Sequence, residues 1–390
     1  MILKHIKDIS LFLLIFSFFN DNFTVEIVGS SSLKIIFSLF FVLHMPEIIK
    51  MTFKPNPHIV IKSFFVFIVL LTVVMLSTLI FGIEMELMDG VINFISIFVV
   101  FIYFSYYRNL EKLLYFLWAA VVVSAIVSLF NDPLSQYTFR TAGGTADPNR
   151  FAMHLLIASA ATVYLFIKNK NLFFLIPTLM LFSYAVLYAG SKTSMLVIAV
   201  IGLYVLVIEF GFVLKKIFSF KGFIALLILI GIASQLDFAK SVAVTGMQER
   251  AQQSQTAEYR FASWRAGMGM IRDHFLVGVG QDNYELYTRE YAKVYMDDGS
   301  LSPHNILVKL LAETGIFVFL SFITFLFFLF KSKYFEIRRS DYFWISLIPM
   351  IALMTGLTLN FIYQQHFWFN FALLTNVILM FHNKNEKEMV

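Results

Sequence analysis

His304 stands where a long polar stretch gives way to an apolar run, in the order Ser302-Pro303-His304-Asn305. An imidazole so placed is a candidate proton acceptor near neutral pH. Ser302-Pro303 reads as a helix start, with Ser as N-cap and Pro in the first turn. That predicts His304 in the first helical turn, where the positive end of the dipole favours the neutral ring that a general base needs. Asp147-Pro148 repeats the cap-and-proline pattern at a second helix. Arg140 and Arg150 flank the second start, and Arg260, Arg265 and Arg272 lie in the long stretch that leads to the first. Helix N-termini flanked by guanidinium groups suit an anion such as phosphate. The plainer alternatives are a His304 that fills an interfacial position and arginines that snorkel to the headgroups. The stretch 238–302 is not net basic, since seven Lys and Arg face eight acids. Bulk attraction to anionic lipid does not explain it, so anion binding there would rest on individually placed guanidinium groups.

Other polar residues carry weaker signals. Gly143-Gly144 lacks the preceding strand and following Lys-Ser/Thr of a phosphate cradle and reads as a tight turn. His154, one helical turn after Arg150, reads either as a site-facing ring or as a packed polar residue, and His274 and His366 also face the outer side. Lys309 and Glu313 stand one turn apart in an apolar helix, a spacing that allows a structural pair. No His/Asp/Glu cluster has metal-ligand spacing, and the chain has no cysteine, so neither a metal nor a cofactor is expected.

The elements that position these groups are membrane helices. Of 390 residues, 59% are hydrophobic and 14% charged, with mean hydropathy +0.78, the balance of an integral membrane protein. The basic pI of about 9.1 comes without a groove-reading stripe, and no nucleic-acid partner is expected. No cleavable signal peptide is read at the start. Apolar runs of spanning length fall near 5–20, 33–50, 60–82, 88–107, 112–130, 150–168, 171–189, 191–213, 221–237, 304–330, 341–359 and 367–383. The expected fold is therefore all-α: one polytopic membrane domain over 1–390, with about 12 transmembrane helices and a large, partly helical periplasmic loop at 238–302. With both termini cytoplasmic, 18 Lys and Arg fall on the inner side and 12 on the outer. Seven of the 12 lie in the long loop, and setting it aside leaves 18 against 5, as the positive-inside rule requires.

The 65-residue loop is far longer than an ordinary connection. Phe261, Trp264, Met268 and Ile271 recur at helical spacing with Arg260, Arg265 and Arg272 between them, the mark of an amphipathic helix that Gly278 and Gly280 end. A second helical pattern places Tyr284, Tyr287, Tyr291 and Tyr295 on one face, read either as a sugar-stacking surface or as a packed one.

The ordered set Arg140…Gly144…Asp147-Pro148-Asn149, Gly190-Ser191-Lys192-Thr193, Arg260-x3-Trp264, Asp273-His274-x3-Gly278-Val-Gly280-x2-Asn283 and His304-Asn305-x9-Gly315 resembles the O-antigen polymerase/ligase family over about residues 138–320. The resemblance implies a type-C membrane glycosyltransferase of the bacterial inner membrane, working at its periplasmic face without nucleotide sugar or metal. It implies an undecaprenyl-pyrophosphate-linked oligosaccharide as donor, a glycan acceptor, and membrane lipid around both. The family's functional arginine and histidine fall on Arg260 and His304, with Arg140 as the second arginine. Arg265, Lys192, Asn305, Arg150 and Tyr284 are the further substrate-binding candidates. Lys192 stands where the family often has Arg, and would meet phosphate as a point charge. Gly315 is followed by Ile, Phe and Val318 rather than the ligases' usual ending, which favours an O-antigen polymerase over an O-antigen ligase. A polymerase would bring a chain-length regulator as partner. A lipid-linked oligosaccharide flippase is the alternative of another class, disfavoured by the scarcity of charge near helix centres.

Overall fold

The computed structural model describes residues 2–21, 32–80, 87–129, 142–143, 145, 147–191, 194, 197, 255–292, 302–332 and 334–388. These form 13 helices: α1 (Ile2–Phe19), α2 (Ser32–Thr52), α3 (Ile59–Ile80), α4 (Leu87–Tyr106), α5 (Leu110–Leu129), α6 (Pro148–Asn169), α7 (Leu172–Ala189), α8 (Gln255–Asp273), α9 (Tyr284–Ala292), α10 (Ile306–Lys331), α11 (Tyr334–Arg338), α12 (Phe343–Gly356) and α13 (Gln365–Glu388). The expected spans at 191–213 and 221–237 lie outside the described residues.

Among the described residues, five helices are long and apolar enough to cross a membrane: α2, α3, α5, α6 and α10, with shorter apolar stretches in α4, α7 and α12. Their surfaces carry the corresponding signature. On α3, Ile59, Val66, Val69, Val73 and Leu76 are all exposed at roughly helical spacing, a stripe that only lipid covers without cost. Prolines inside α2 (Pro46), α7 (Pro177) and α12 (Pro349) are of the kind that membrane helices tolerate, because neighbours re-satisfy the freed carbonyls. The protein is an integral membrane protein.

The core that holds α10 is aromatic. Trp368 of α13 is buried among Phe64 and Phe67 of α3, Phe101 of α4, and Phe322 and Phe325 of α10. Phe64 and Phe101 stack at 3.8 Å between centroids. The Trp368 indole N–H donates to the Ile362 carbonyl at 2.7 Å, so the buried ring leaves no orphan donor.

Helices α8 and α9 pack on the first turns of α10. Helix α8 confirms the amphipathic reading over 255–273 but turns its stripe round. Ser263, Ala266, Met270 and Ile271 are buried, while Phe261, Trp264 and Met268 are exposed. Small residues on the inward face let the neighbouring backbones approach closely. A backbone crossing then joins the α8–α9 connection to α10. Val279 N–H donates to Ala312 O and Gly280 N–H to Glu313 O, both at 2.9 Å, and Ile316 N–H donates to Phe275 O at 3.0 Å. Two glycines in the left-handed region make this possible, Gly278 at φ 71° and Gly315 at φ 73°. A Cβ on Gly278 would strike the Glu313 backbone, and one on Gly315 the Leu276 backbone.

Candidate functional site

His304 lies at the mouth of α10 in a left-handed conformation, φ 44°, which costs a non-glycine residue about 1–2 kcal/mol. It is not in the first helical turn. The cap is Asn305, whose Oδ1 accepts from Leu307 N at 2.9 Å and Val308 N at 3.1 Å, so the helix begins at Ile306. The expectation that Ser302 caps the helix fails because Asn305 sits closer to the free N–H groups and takes them. Ser302 Oγ instead accepts from Asn360 Nδ2 at 3.2 Å, and Asn305 Nδ2 donates to Leu357 O at 3.2 Å. Trp264 Nε1 donates to Pro303 O at 2.7 Å. The four-residue loop is thus tied to α8, to the α12–α13 connection and to its own helix.

Arg260 precedes Trp264 by one helical turn, and its Nε is buried without a hydrogen-bond partner. Partial desolvation of the His304 ring lowers its pKa first, and the Arg260 charge lowers it further, while Asp147 and Glu285 oppose the shift. A ring biased toward the neutral form by a guanidinium whose Nε is free can accept a proton while the cation receives an anion.

Asp147 caps α6 as the sequence predicts, accepting from Asn149 N at 2.7 Å and Arg150 N at 3.0 Å, with Pro148 at the first helical position. Both helix starts therefore use two of their free N–H groups on their own caps, and guanidinium groups are left as the stronger anion donors. The turn read at Gly143 is present, with Thr145 N–H donating to Ala142 O at 3.0 Å.

Of the other expected site residues, Arg150 is ion-paired with Asp21 at the end of α1. Arg265 is exposed on α8. Tyr284 is buried, with its hydroxyl donating to Ser263 O at 2.7 Å, so it lies in the packed face. Arg140, Lys192 and Tyr295 lie outside the described residues. His154 and His366 are both buried, with ring centroids 5.1 Å apart, one turn below Arg150. His366 Nε2 and both amide atoms of Asn370, one turn further along α13, have no hydrogen-bond partner.

Lys309 and Glu313 pair across one turn of α10 at 3.5 Å, within a larger network. Lys309 Nζ also meets Asp282 Oδ1 at 3.0 Å, and Glu313 accepts from Tyr363 Oη at 2.8 Å and Tyr284 N at 3.2 Å. This network joins the α8–α9 connection, α10 and the α12–α13 connection within two turns of His304. Asp282, Tyr363 and Asn360 carried no sequence signal, because each acts only through a partner at least 27 positions away. Among the described residues no three His, Asp or Glu side chains come together to hold a metal ion.

No curated protein matches the chain. A family model described as O-antigen ligase matches residues 177–323, a stretch holding Arg260, Trp264, Tyr284, His304, Asn305 and Gly315, with Asp147 and Arg150 N-terminal to it. Residues 177–323 are an O-antigen ligase family domain, set in a chain of membrane helices.

Proposed function

We propose that the chain is an O-antigen, or surface-polysaccharide, polymerase at the periplasmic face of the bacterial inner membrane, with both termini cytoplasmic and about 12 spans. It transfers an undecaprenyl-pyrophosphate-linked glycan onto another lipid-linked repeat unit. The observation that carries this reading is His304, strained and held neutral at the mouth of α10, beside the buried, unpartnered Nε of Arg260. His304 takes the proton of the acceptor hydroxyl as its oxygen attacks the anomeric carbon. The bond from that carbon to the pyrophosphate oxygen breaks, and the electron pair leaves with the pyrophosphate. Arg260 stabilises that departing charge, with Arg140 as the second guanidinium and Lys192, Arg265 and Arg150 as further phosphate contacts. Asn305 and Tyr284 act by holding His304 and α8 in register. The chemistry needs neither nucleotide sugar nor metal, and a chain-length regulator is the expected partner.

The description of the matched family favours a second reading, an O-antigen ligase whose acceptor is lipid A–core. One gel separates the two. A deletion strain is complemented with wild type, His304→Ala or Arg260→Ala, and its lipopolysaccharide ladder is compared at equal membrane protein levels. The polymerase reading expects long chains from wild type and core plus one repeat from both variants, with His304→Ala losing about 10²–10⁴ in rate. Bare core in the deletion strain, with polymer retained on the carrier lipid, would assign the ligase. A full ladder from both variants would remove His304 and Arg260 from the chemistry.

A further inference from the structure

We propose that the outer edge of α8 and the turn Phe275-Leu276-Val277 enter the bilayer leaflet at the N-terminal end of α10, making this hairpin a re-entrant element rather than a free extramembrane loop. Three observations carry the inference, and none depends on the transfer chemistry.

The first is exposure. On α8, Phe261 and Met268 are 62% and 61% exposed with Trp264 between them, and the turn that follows exposes Leu276 at 59% and Val277 at 63%. Large apolar groups at i, i+3 and i+7 followed by three in a row form a patch that water alone would not cover at low cost.

The second is depth. Helix α10 has 26 residues, whereas about 20 suffice for a hydrocarbon layer of ~30 Å. Counting about 20 residues back from Lys331 puts the hydrocarbon boundary near Ala312. The turn is bonded to α10 at that level, through Ala312, Glu313 and Ile316. Its exposed side chains therefore lie at the level where Phe317 and Leu320 begin the exposed apolar stripe that α10 continues to Phe327. The patch is continuous with the lipid-facing side of a membrane helix. Trp264, bonded to Pro303, lies higher, at the level where indoles gather in membrane proteins. Arg272, whose Nε donates to Asp273 at 2.8 Å, lies one turn above the turn, at headgroup level.

The third is the backbone. Non-helical chain survives at hydrocarbon depth only where its polar groups are satisfied inside the protein. Gly278, Val279 and Gly280 all donate their N–H groups, and Phe275 gives its carbonyl to Ile316, so the chain on both flanks of Leu276-Val277 is satisfied within the protein.

The absence of cysteine from the chain allows a direct test. Leu276→Cys, Val277→Cys and a control, Glu290→Cys on exposed α9, are each labelled with an environment-sensitive fluorophore. The full-length proteins are then reconstituted in phosphatidylethanolamine/phosphatidylglycerol vesicles. The proposal expects the Leu276 and Val277 labels to be quenched several-fold more by an acyl-chain nitroxide lipid than by aqueous iodide, and the Glu290 label to show the reverse. Iodide quenching of all three alike would overturn it and return the loop to water. Protection from both quenchers, with Leu276→Cys cross-linking between copies, would overturn it in favour of a second chain as the cover.

Discussion

His304 sits among three charged groups whose effects can be separated one at a time. Arg260 lowers its pKa, whereas Asp147 and Glu285 raise it. Glu285 lies on the exposed side of α9 and neutralising it leaves both helix caps intact. In Glu285→Gln one of the raising charges is gone, so the imidazolium loses its proton at lower pH. A base that works neutral then stays active further into acid, and the acidic limb of the kcat/KM profile should move to lower pH. A limb that stays in place or moves up would mean that His304 does not titrate in the reaction. In the sequence, Arg260 and His304 stand together as candidates only through the family resemblance, since 43 residues of mostly polar chain separate them. What the sequence hid is the hydrogen bond that brings them together, from Trp264 to a carbonyl 39 positions away. A tryptophan at helical spacing among apolar neighbours reads as packing, and only the fold shows where its N–H points.

Among the elements, the apolar runs marked every described membrane helix, since lipid demands length and hydrophobicity that few other segments have. Two readings moved for local reasons. The start of α10 shifted because Asn305 outcompetes Ser302 for the same free N–H groups. The stripe of α8 faces outward because Ala266 and Ser263, rather than the large side chains, permit close packing on α9 and α10. The kink at Gly315 was visible only as a glycine in an apolar run. In Gly315→Ala the new methyl meets the Leu276 backbone in a conformation that L residues rarely adopt. The expected loss is about 1–3 kcal/mol, read as a lowered Tm of the purified protein in detergent. Gly278→Ala disturbs the same crossing from the other side, and the double variant should lose clearly less than the sum of the two singles. Additive losses would show that the two glycines act separately.

For the whole molecule, the proposed orientation rests on the charge of the connecting segments, and two cysteines introduced into the cysteine-free chain can test it. Arg339→Cys, on the connection between α11 and α12, should resist a membrane-impermeant maleimide in spheroplasts, while Glu290→Cys should react; the opposite pattern would invert the topology. The surroundings of His304 draw on widely spaced parts of the chain: Asp147 before α6, Arg260 on α8, Glu285 on α9, and Asn360 and Tyr363 between α12 and α13. Only Arg260, Glu285 and His304 itself fall within the stretch 177–323. The family domain is therefore not an exchangeable cassette. A chimera that grafts 177–323 from a relative would place a foreign Ser302 loop against the native Asn360, and a foreign Glu313 against the native Tyr363. Donor and host would have to be swapped through the end of the α12–α13 connection for the graft to arrive with its own supports.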